Sequence, residues 1–506
     1  MMSAAPPLFS QDLSHFTKSE GGDVSFDAIA MKICAQLHVD PKMTLQEALS
    51  LHLQQLAKHH TLKDMTSDAL AKYEQRGKVV EDVVSAVVAR ELVHETNPVV
   101  DLFAMDKFLA RLTSLKEAFP PTWIHALAIK ANPLSGILLE AKSLGVGLET
   151  ASFAEAIHAL DLGFLPRHVI VDSPCKTTAD MEELLRLGCY LNLDNEDEIR
   201  KVDQLLGGSL PESTIGLRIN PVVGGGTIAA SSTATTTSKF GLAWTPDTDV
   251  ALTKLFQDHP WLQGVHVHVG SQGCTLSLLV AGAQRAVAFA KQTNERLGRR
   301  QIRVIDIGGG VPTIYNGLDK EAVEFTEYAA LLKQSVPELF TGEFQVITEF
   351  GRSVFAKAGV TMTRVETVKQ WNGQNIAVVH CGANQFLRPV YLPKTWPHCY
   401  SVFDSHGRLK QGNLVRQDIA GPLCFSGDVL ARDVYLPQIE AGDYIVMHDT
   451  GAYNMAMYSK FNSIQAPEVI AYRRKGNAIQ FSQVRPRESV AETLALWGPK
   501  LPLAWS

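Results

Sequence analysis

Strand-like and helix-like segments alternate between residues 96 and 350, and this alternation limits the folds that the chain can adopt. Eight short apolar runs have the length and composition of strands buried on both faces of a parallel sheet. These runs are residues 126–129, 145–149, 168–171, 190–193, 215–220, 265–269, 304–307 and 346–349. Amphipathic helical stretches separate them, including residues 134–144 and 276–297. Eight such units over roughly 225 residues predict an α/β fold of the (β/α)8 barrel type, and a doubly wound open sheet is the alternative.

The sequence on either side of this stretch has a different pattern, and 506 residues are more than one core normally holds. Residues 25–56 and 62–92 have apolar positions at helical spacing. Strand-like segments separated by Gly and Asn turns predominate after residue 351, at residues 360–368, 375–379, 399–403, 444–447, 468–472 and 479–484. We therefore predict a helical N-terminal extension (1–95), the barrel (96–350) and a C-terminal β domain (351–506), with segment 96–104 able to join the β domain.

Composition and charge narrow the class of partners. A net charge of −6 offers no general attraction for nucleic acid or an anionic membrane, and no run of eighteen apolar residues could span a bilayer. The N-terminus lacks the basic and apolar regions of a secretion signal. Seven scattered cysteines favour neither a disulfide framework nor a metal site. We expect a cytoplasmic protein, with an organelle as the open alternative.

Polar side chains stand at the C-terminal ends of the predicted strands, where (β/α)8 barrels carry their active sites. They are Lys130, Glu149, Asp194, Asn195, Arg218, His268, Asp306 and Glu349. An uncharged Gly/Ala/Ser/Thr stretch, residues 224–238, interrupts the pattern and is predicted to be a flexible surface loop. The arrangement predicts a functional site at this end of the barrel.

Lys130 stands near the end of an apolar run that Asn132 and Pro133 terminate. Lysines are rarely buried unless they have a partner or a function. In one interpretation the aliphatic stem lies along apolar surface and the amine reaches water. In the other, a lowered pKa lets the amine form a Schiff base with a carbonyl cofactor.

A glycine triplet follows the seventh predicted strand, where backbone N–H groups can approach an anion and where barrels often bind phosphate. The triplet and three further groups suited to a phosphate are Gly308, Gly309, Gly310, Ser271, Arg352 and Tyr453. A lysine can hold an aldehyde, a carboxylate can pair with a pyridine nitrogen, and an imidazole can stack on the ring. Together these groups indicate a pyridoxal 5′-phosphate site.

Six ordered motifs then resemble a known family. They are Ala-Ile-Lys-Ala-Asn-Pro (128–133), His-Val-His-Val-Gly-Ser-Gln (266–272), Asp-Ile-Gly-Gly-Gly (306–310), Glu-Phe-Gly-Arg (349–352), Gly-Pro-Leu-Cys-Phe-Ser-Gly-Asp (421–428) and Gly-Ala-Tyr-Asn (451–454). In this order they resemble the ornithine/diaminopimelate/arginine decarboxylases, which are fold-type III pyridoxal phosphate enzymes. The resemblance runs from about residue 97 to residue 490 and is closer to the diaminopimelate branch. Residues 1–95 lie outside it.

The resemblance implies a role for each matching residue. Lys130 would form the Schiff base, His268 would stack on the cofactor ring, and Glu349 would pair with the pyridine nitrogen. The remaining implied cofactor contacts are Glu149, Arg218, Ser271, Gly308, Gly309, Gly310, Gly351, Arg352 and Tyr453. The implied substrate contacts are Arg352, Arg388, Phe425, Asp428 and Tyr453. Cys424 of a neighbouring subunit would guide protonation of the product, which implies a homodimer with shared active sites.

Two departures from the family pattern concern the substrate. Phe425 stands where the diaminopimelate enzymes carry a glutamate that binds the distal ammonium of the substrate. His380-Cys381-Gly382 stands where an aspartate tends to precede the Arg388-Pro389 pair. We therefore expect a pyridoxal phosphate-dependent amino-acid decarboxylase with altered specificity for the far end of its substrate. The alternatives are a non-catalytic homologue that acts as a regulatory binding protein and an amino-acid racemase on the same barrel.

Overall fold

The structure is a computed structural model that describes residues 70–315, 323–371, 373–476 and 478–503. The chain divides into two units, residues 1–72 and 73–506. The strands in chain order are β1 (Val99–Ala104), β2 (Ile124–Ala128), β3 (Gly147–Thr150), β4 (Val169–Val171), β5 (Tyr190–Leu193), β6 (Ile215–Asn220), β7 (Leu242–Ala243), β8 (Leu262–His266), β9 (Val304–Asp306), β10 (Gln345–Thr348), β11 (Gly359–Trp371), β12 (Gln374–Val379), β13 (Tyr400–Phe403), β14 (Leu414–Ala420), β15 (Val429–Pro437), β16 (Tyr444–His448), β17 (Glu468–Lys475) and β18 (Ala478–Arg485).

Helices alternate with the strands of the first half and are sparse in the second. They are α1 (residues 70–89), α2 (Met105–Ala118), α3 (Ser135–Lys142), α4 (Phe153–Asp161), α5 (Thr178–Arg186), α6 (Glu196–Leu206), α7 (Asp249–Asp258), α8 (Leu276–Leu297), α9 (Phe325–Ser335), α10 (Arg352–Phe355), α11 (Leu387–Tyr391) and α12 (Val490–Ala495). Within the described part of the chain, no helix has the length and apolarity that a membrane span requires.

Eight parallel strands form a closed barrel, which confirms the predicted fold class and excludes the open sheet. Their order is β5-β4-β3-β2-β10-β9-β8-β6, and a further pairing between β5 and β6 closes the ring. Every residue of β6 is buried, because one face of a barrel strand meets the interior and the other meets the helices. Residues 190–193 and 215–220 are strands at the predicted positions, whereas the predicted strand 265–269 lies earlier in the chain, at β8.

Helix ends are defined by local capping. The side chain of Asn195 accepts a hydrogen bond from the backbone N–H of Glu198 at the start of α6, and Gly207 ends the helix in the left-handed conformation. Asp194, next to it, accepts a hydrogen bond from the N–H of Gly241 at 3.0 Å. These two strand-end residues therefore have structural roles.

A second sheet combines strands from both sides of the barrel sequence. Its order is β15-β14-β12-β11-β1-β17-β18, and β16 pairs with β11 and β13. Strand β1 is antiparallel to β11 and parallel to β17, so the predicted segment 96–104 does pair into this sheet. Strands β14 and β15 were not predicted, because their pairing is irregular and exposed residues interrupt their apolar pattern.

Helix α1 packs on the second sheet. Val83, Val84 and Val87 are 0–1% exposed, and the Tyr73 hydroxyl donates to the carbonyl of Val402 at 3.0 Å. The predicted helical stretch 25–56 lies outside the described residues. The domain limits at residues 95 and 350 stay a prediction, since residues 73–506 form one unit.

Candidate active site

Lys130 lies in a short 3-10 turn, Ile129–Ala131, directly after strand β2. Its amine pairs with the carboxylate of Glu149 on the neighbouring strand β3. The Glu149 side chain is fully buried, whereas 42% of the Lys130 side chain is exposed. The turn therefore presents the amine at the open end of the barrel while its partner is enclosed.

The pKa of Lys130 is raised, and the hypothesis of a lowered pKa is wrong for this structure. Burial is the largest single effect and would lower it, but the charges of Glu149, Tyr453, Glu349 and Asp172 together hold the pKa above its ordinary value. Burial also raises the pKa of Glu149 to about 7, against the opposing effect of Lys130. Sequence reasoning missed this because the carboxylates surround the amine only once the barrel closes.

Glu349 follows strand β10 and belongs to a buried charge network. His266 lies 3.5 Å from Glu349 and 3.1 Å from Asp172, measured between ring nitrogens and carboxylate oxygens. Arg218 lies 3.6 Å from Asp172. Ligand atoms of Asp172, His266 and Glu349 lie within 4.8 Å of one another and could hold a metal ion, but Arg218 already supplies positive charge to the cluster.

The network keeps Glu349 ionised. Burial is the largest single effect and would raise its pKa, but His266 and His268 together hold the pKa of Glu349 below its ordinary value. The carboxylates in turn raise the pKa of His266 well above its usual range, against burial. The second oxygen of Glu349 has no hydrogen-bond partner among the described residues, so it can accept a proton-bearing nitrogen.

His268 stands beside the glycine triplet. Its Nδ1 accepts a hydrogen bond from the N–H of Gly309 at 3.2 Å, which leaves the proton of the neutral ring on Nε2. Burial, followed by Arg218, lowers the pKa of His268 to about 3. Gly310 has φ +111, and a Cβ at Gly309 would overlap the carbonyl oxygen of Glu349. The triplet thus needs glycine for both conformation and space.

Arg352 and Arg388 share two aromatic rings. Their guanidinium carbons lie 4.6 and 4.9 Å from the ring centroid of Trp396, and 4.5 and 5.0 Å from that of Tyr453. The Nε of Arg352 and one Nη of Arg388 lack acceptors among the described residues. Two neighbouring cations with unpaired donors suit one or two anionic groups of a ligand.

The stretch 224–238 lies at the surface, as its composition predicts, with nearly all of its residues exposed or half-buried, and its flexibility stays a prediction. Its backbone pairs with the motif that carries His268, because the N–H of Ser271 donates to the carbonyl of Ser231 at 2.9 Å and the N–H of Thr233 donates to that of Val269 at 3.0 Å. The uncharged, small side chains allow this close backbone approach. The stretch therefore holds His268 and Ser271 in place.

Cys424, Phe425 and Asp428 lie in the loop between β14 and β15. Cys424 is an exposed free thiol, and its N–H donates to Asn462 at 2.9 Å. The Phe425 ring stacks on Tyr391 with centroids 6.0 Å apart. The hydrogen bonds and ring contacts described for these residues are with helix α11 and with loops that connect strands of the second sheet, so within one chain the structure does not join them to Lys130.

The side chain of Asp428 holds this loop in place through hydrogen bonds. It is 3% exposed, and its two carboxylate oxygens accept the N–H groups of Ala383 and Leu423, each at 2.7 Å. These contacts favour a structural role over the predicted contact with substrate. His380 lies 2.9 Å from the exposed Glu366, which gives its imidazole a partner within the same sheet.

Sequence reasoning missed several residues of the site. Asp172, His266, Tyr315 and Trp396 all contact predicted site residues. His266 belongs to a recognised motif and could have been found by its spacing from His268. Asp172 directly follows the predicted strand 168–171 and carried the same strand-end signal as Lys130, whereas Tyr315 and Trp396 carry no local signal.

A lysine amine, an ionised carboxylate with a free oxygen, a glycine cradle and unpaired arginine donors meet at the carboxyl end of one barrel. This set fits an anionic, ring-bearing aldehyde, and it defines the class of site that binds pyridoxal phosphate.

Comparisons with known proteins agree. The family described as "Pyridoxal-dependent decarboxylase, pyridoxal binding domain" matches residues 105–356. Diaminopimelate decarboxylase of Pseudomonas fluorescens is 31% identical over 373 residues, which cover 73% of this chain and 85% of that protein. The Helicobacter pylori enzyme (strain 26695) is 29% identical over 400 residues, covering 78% and 94%. The crystal structure of a Helicobacter pylori diaminopimelate decarboxylase complexed with L-lysine has a TM-score of 0.70 and 26% identity, and covers 80% of this chain and 98% of that one.

The chain therefore belongs to the fold-type III family of pyridoxal phosphate-dependent amino-acid decarboxylases. The predicted cofactor and enzyme class are confirmed. The role of each site residue stays a prediction.

The structural role of Asp428 is testable. Asp428→Asn turns an amide NH2 group toward one of the two N–H donors, so we expect the free energy of unfolding to fall by about 1–3 kcal/mol in urea denaturation. The exposed neighbour Ser426→Ala should change it by less than about 0.5 kcal/mol. Unchanged stability in Asp428→Asn together with a raised KM would instead assign Asp428 to substrate binding.

Proposed function

We propose that the chain is a homodimeric decarboxylase of an amino acid whose far end is not cationic, and that its active site is assembled as the sequence motifs imply. The observation that carries this proposal is the meeting of Lys130, Glu349 and two arginines with unpaired donors at one barrel mouth. A purely regulatory binding protein would need none of these groups.

Bound pyridoxal phosphate would supply the electron sink for the electron pair that remains when carbon dioxide leaves. Lys130 would hold its aldehyde carbon, and Glu349 would accept a hydrogen bond from the pyridine nitrogen. His268 would cover the ring as a neutral imidazole, and Glu149 and Arg218 would keep the surrounding charges balanced.

The anionic groups have a separate set of proposed partners. The phosphate would lie against the backbone of Gly308, Gly309 and Gly310, with Ser271, Gly351, Arg352 and Tyr453 around it. Arg388 has an unpaired donor and would bind a substrate carboxylate in the two-bonded geometry that guanidinium groups favour.

The proposed substrate preference follows from Phe425. An ammonium group moved from water into a site without a carboxylate loses about 2–5 kcal/mol relative to one that is paired. Phe425 packs between Tyr391 and Phe461, with ring centroids 6.0 and 6.1 Å away. This aromatic cluster suits an apolar, amide or carboxylate-bearing end better than the dibasic substrates of diaminopimelate or ornithine enzymes.

The proposed dimer rests on the same cluster. Tyr391 and Phe461 are 61% and 50% exposed, and the thiol of Cys424 beside them is exposed as well. A second copy of the chain that covers this face would bury the aromatic rings. Cys424 of one subunit would then lie at the barrel mouth of the other, where the thiol could guide protonation of the α-carbon. We also propose the cytoplasm as the location, because the cysteines are scattered along the sequence and favour no disulfide framework.

Borohydride reduction tests the role of Lys130. Reduction of the protein loaded with pyridoxal phosphate should attach the pyridoxyl group to the peptide that contains Lys130, because this amine stands at the barrel mouth. Peptide mapping by mass spectrometry reads the position. The buried Lys176, which pairs with Glu198, is the internal comparison, and a label on it or on any other lysine would end the assignment.

Mixing two inactive variants tests the shared site. Lys130→Ala and Cys424→Ala dimers should regain up to about a quarter of the activity per site after random exchange of protomers, because one hybrid site receives both intact residues. The control is the Lys130→Ala protein alone, taken through the same exchange procedure. If subunit exchange is verified and no activity returns, each site lies within one chain.

Substrate choice is tested by kcat/KM for diaminopimelate, lysine and ornithine against glutamate-like amino acids, with carbon dioxide and product chirality both measured. We expect the dibasic substrates to be used at least tenfold less well, and Phe425→Glu to improve their use by about tenfold or more. Phe425→Leu controls for loss of the ring. A wild type that prefers a dibasic substrate and loses it in Phe425→Glu contradicts the charge argument, and racemisation without carbon dioxide release contradicts the reaction.

A further inference from the structure

Helix α1 precedes residue 105, where the match to the family begins. One of its side chains, Arg76, nevertheless contacts residues that adjoin the candidate active site. The Nη2 of Arg76 donates to the carbonyl oxygen of Tyr315 at 2.8 Å. Its Nη1 lies 3.3 Å from the carboxylate of Asp449. The Arg76 side chain is only 13% exposed. One guanidinium therefore joins two segments that are far apart in sequence.

The first of the two contacts, with Tyr315, links Arg76 to Arg352. The hydroxyl of Tyr315 accepts a hydrogen bond from Arg352 at 2.8 Å, and Tyr315 is 7% exposed. Arg76 thus holds the backbone carbonyl of the same residue whose hydroxyl orients Arg352. A shift of the Tyr315 backbone would move the hydroxyl and release one guanidinium nitrogen of Arg352.

The second contact, with Asp449, lies four residues before Tyr453 in the chain. Asp449 is 8% exposed, has φ +63 although it is not glycine, and also pairs with Lys357 at 2.8 Å. Left-handed conformation at a non-glycine residue is strained and needs support from its surroundings. Four positions later, the N–H of Tyr453 donates to the carbonyl of Ala131 in the turn that carries Lys130, and its ring faces Arg352 at 4.5 Å.

We infer that Arg76 is a positioning residue for the anion site at Arg352, because it bonds to Tyr315 and to Asp449, the latter four residues before the second tyrosine that contacts this guanidinium. The inference rests on the proposed function, in which Arg352 binds an anion. That anion is either the cofactor phosphate or a carboxylate of the substrate, and both have the same oxygen chemistry. The N-terminal helix is then a working part of the site, although it carries no residue that contacts a ligand.

The test compares Arg76→Ala and Arg76→Lys with Ser85→Ala in the same helix. Ser85 donates to the carbonyl of Gly407 at 2.7 Å, so its variant loses one docking bond of the helix without touching Tyr315 or Asp449. The measurements are the dissociation constant of pyridoxal phosphate for the apoprotein by absorbance titration, the same constant for pyridoxal, KM and kcat, and the thermal unfolding midpoint.

In Arg76→Ala we expect about a tenfold rise in either the dissociation constant of pyridoxal phosphate or KM, which corresponds to ~1.4 kcal/mol. Pyridoxal lacks the phosphate, so unchanged pyridoxal binding with weakened pyridoxal phosphate binding assigns the phosphate, whereas a raised KM assigns the substrate carboxylate. Arg76→Lys keeps the charge and one bond, and should recover part of the loss. Ser85→Ala should change both constants less than about twofold.

The inference fails if Arg76→Ala changes neither constant more than Ser85→Ala does. If Arg76→Ala does not fold, Arg76→Lys decides, because a folded variant with wild-type constants overturns the inference and one with raised constants supports it. A wild-type chain that binds no pyridoxal phosphate refutes the proposed function instead. The two failures are therefore distinguishable.

Discussion

The candidate site depends on the balance of charge among ionisable groups that the closed barrel removes from water. Isolated buried charges are too costly to persist, so each must be paired or neutralised. Glu149, Asp172 and Glu349 face Lys130, Arg218 and His266. Asp306 is the fourth carboxylate, and burial followed by Glu349 raises its pKa well above the ordinary value. Each of the other three carboxylates therefore has a basic side chain as its neighbour.

This balance explains why side chains that touch no ligand belong to the site. His266 lowers the pKa of Glu349, and Asp172, with Arg218 on its far side, in turn raises the pKa of His266. Each group needs the next because all of them lie in a medium that screens charge poorly. The pairs also fix the ends of several strands relative to one another, so the same contacts serve the fold and the chemistry.

The sequence predicted the barrel and its polar strand ends because both leave local patterns. Buried strands are apolar runs, and a charged residue at the end of such a run is conspicuous, as at Lys130 and Glu349. The sequence could not predict the sign of the pKa shift at Lys130, which depends on carboxylates from three other strands. Tyr315, Trp396 and Arg76 were missed for a related reason, because each acts through a contact with a residue distant in the chain. The backbone pairing of 224–238 was missed for the opposite reason, since small residues suit close backbone pairing as well as flexible loops.

The position of strand β1 in the second sheet affects the order in which the protein folds during synthesis. Strand β1 precedes the barrel in the chain, yet it lies inside the second sheet between β11 and β17. The whole barrel sequence is therefore inserted between two strands that pair with each other in that sheet. Val100 pairs with Met362 on one side and with Glu468 on the other, and such distant pairings form slowly because a long loop must close first. During synthesis the barrel strands emerge before β17 does. Lys130, Glu349 and the glycine triplet can therefore be in place while Arg388 and Tyr453 still await the second sheet, so the pair of arginines and its shared aromatic rings is completed only after the barrel strands have been made.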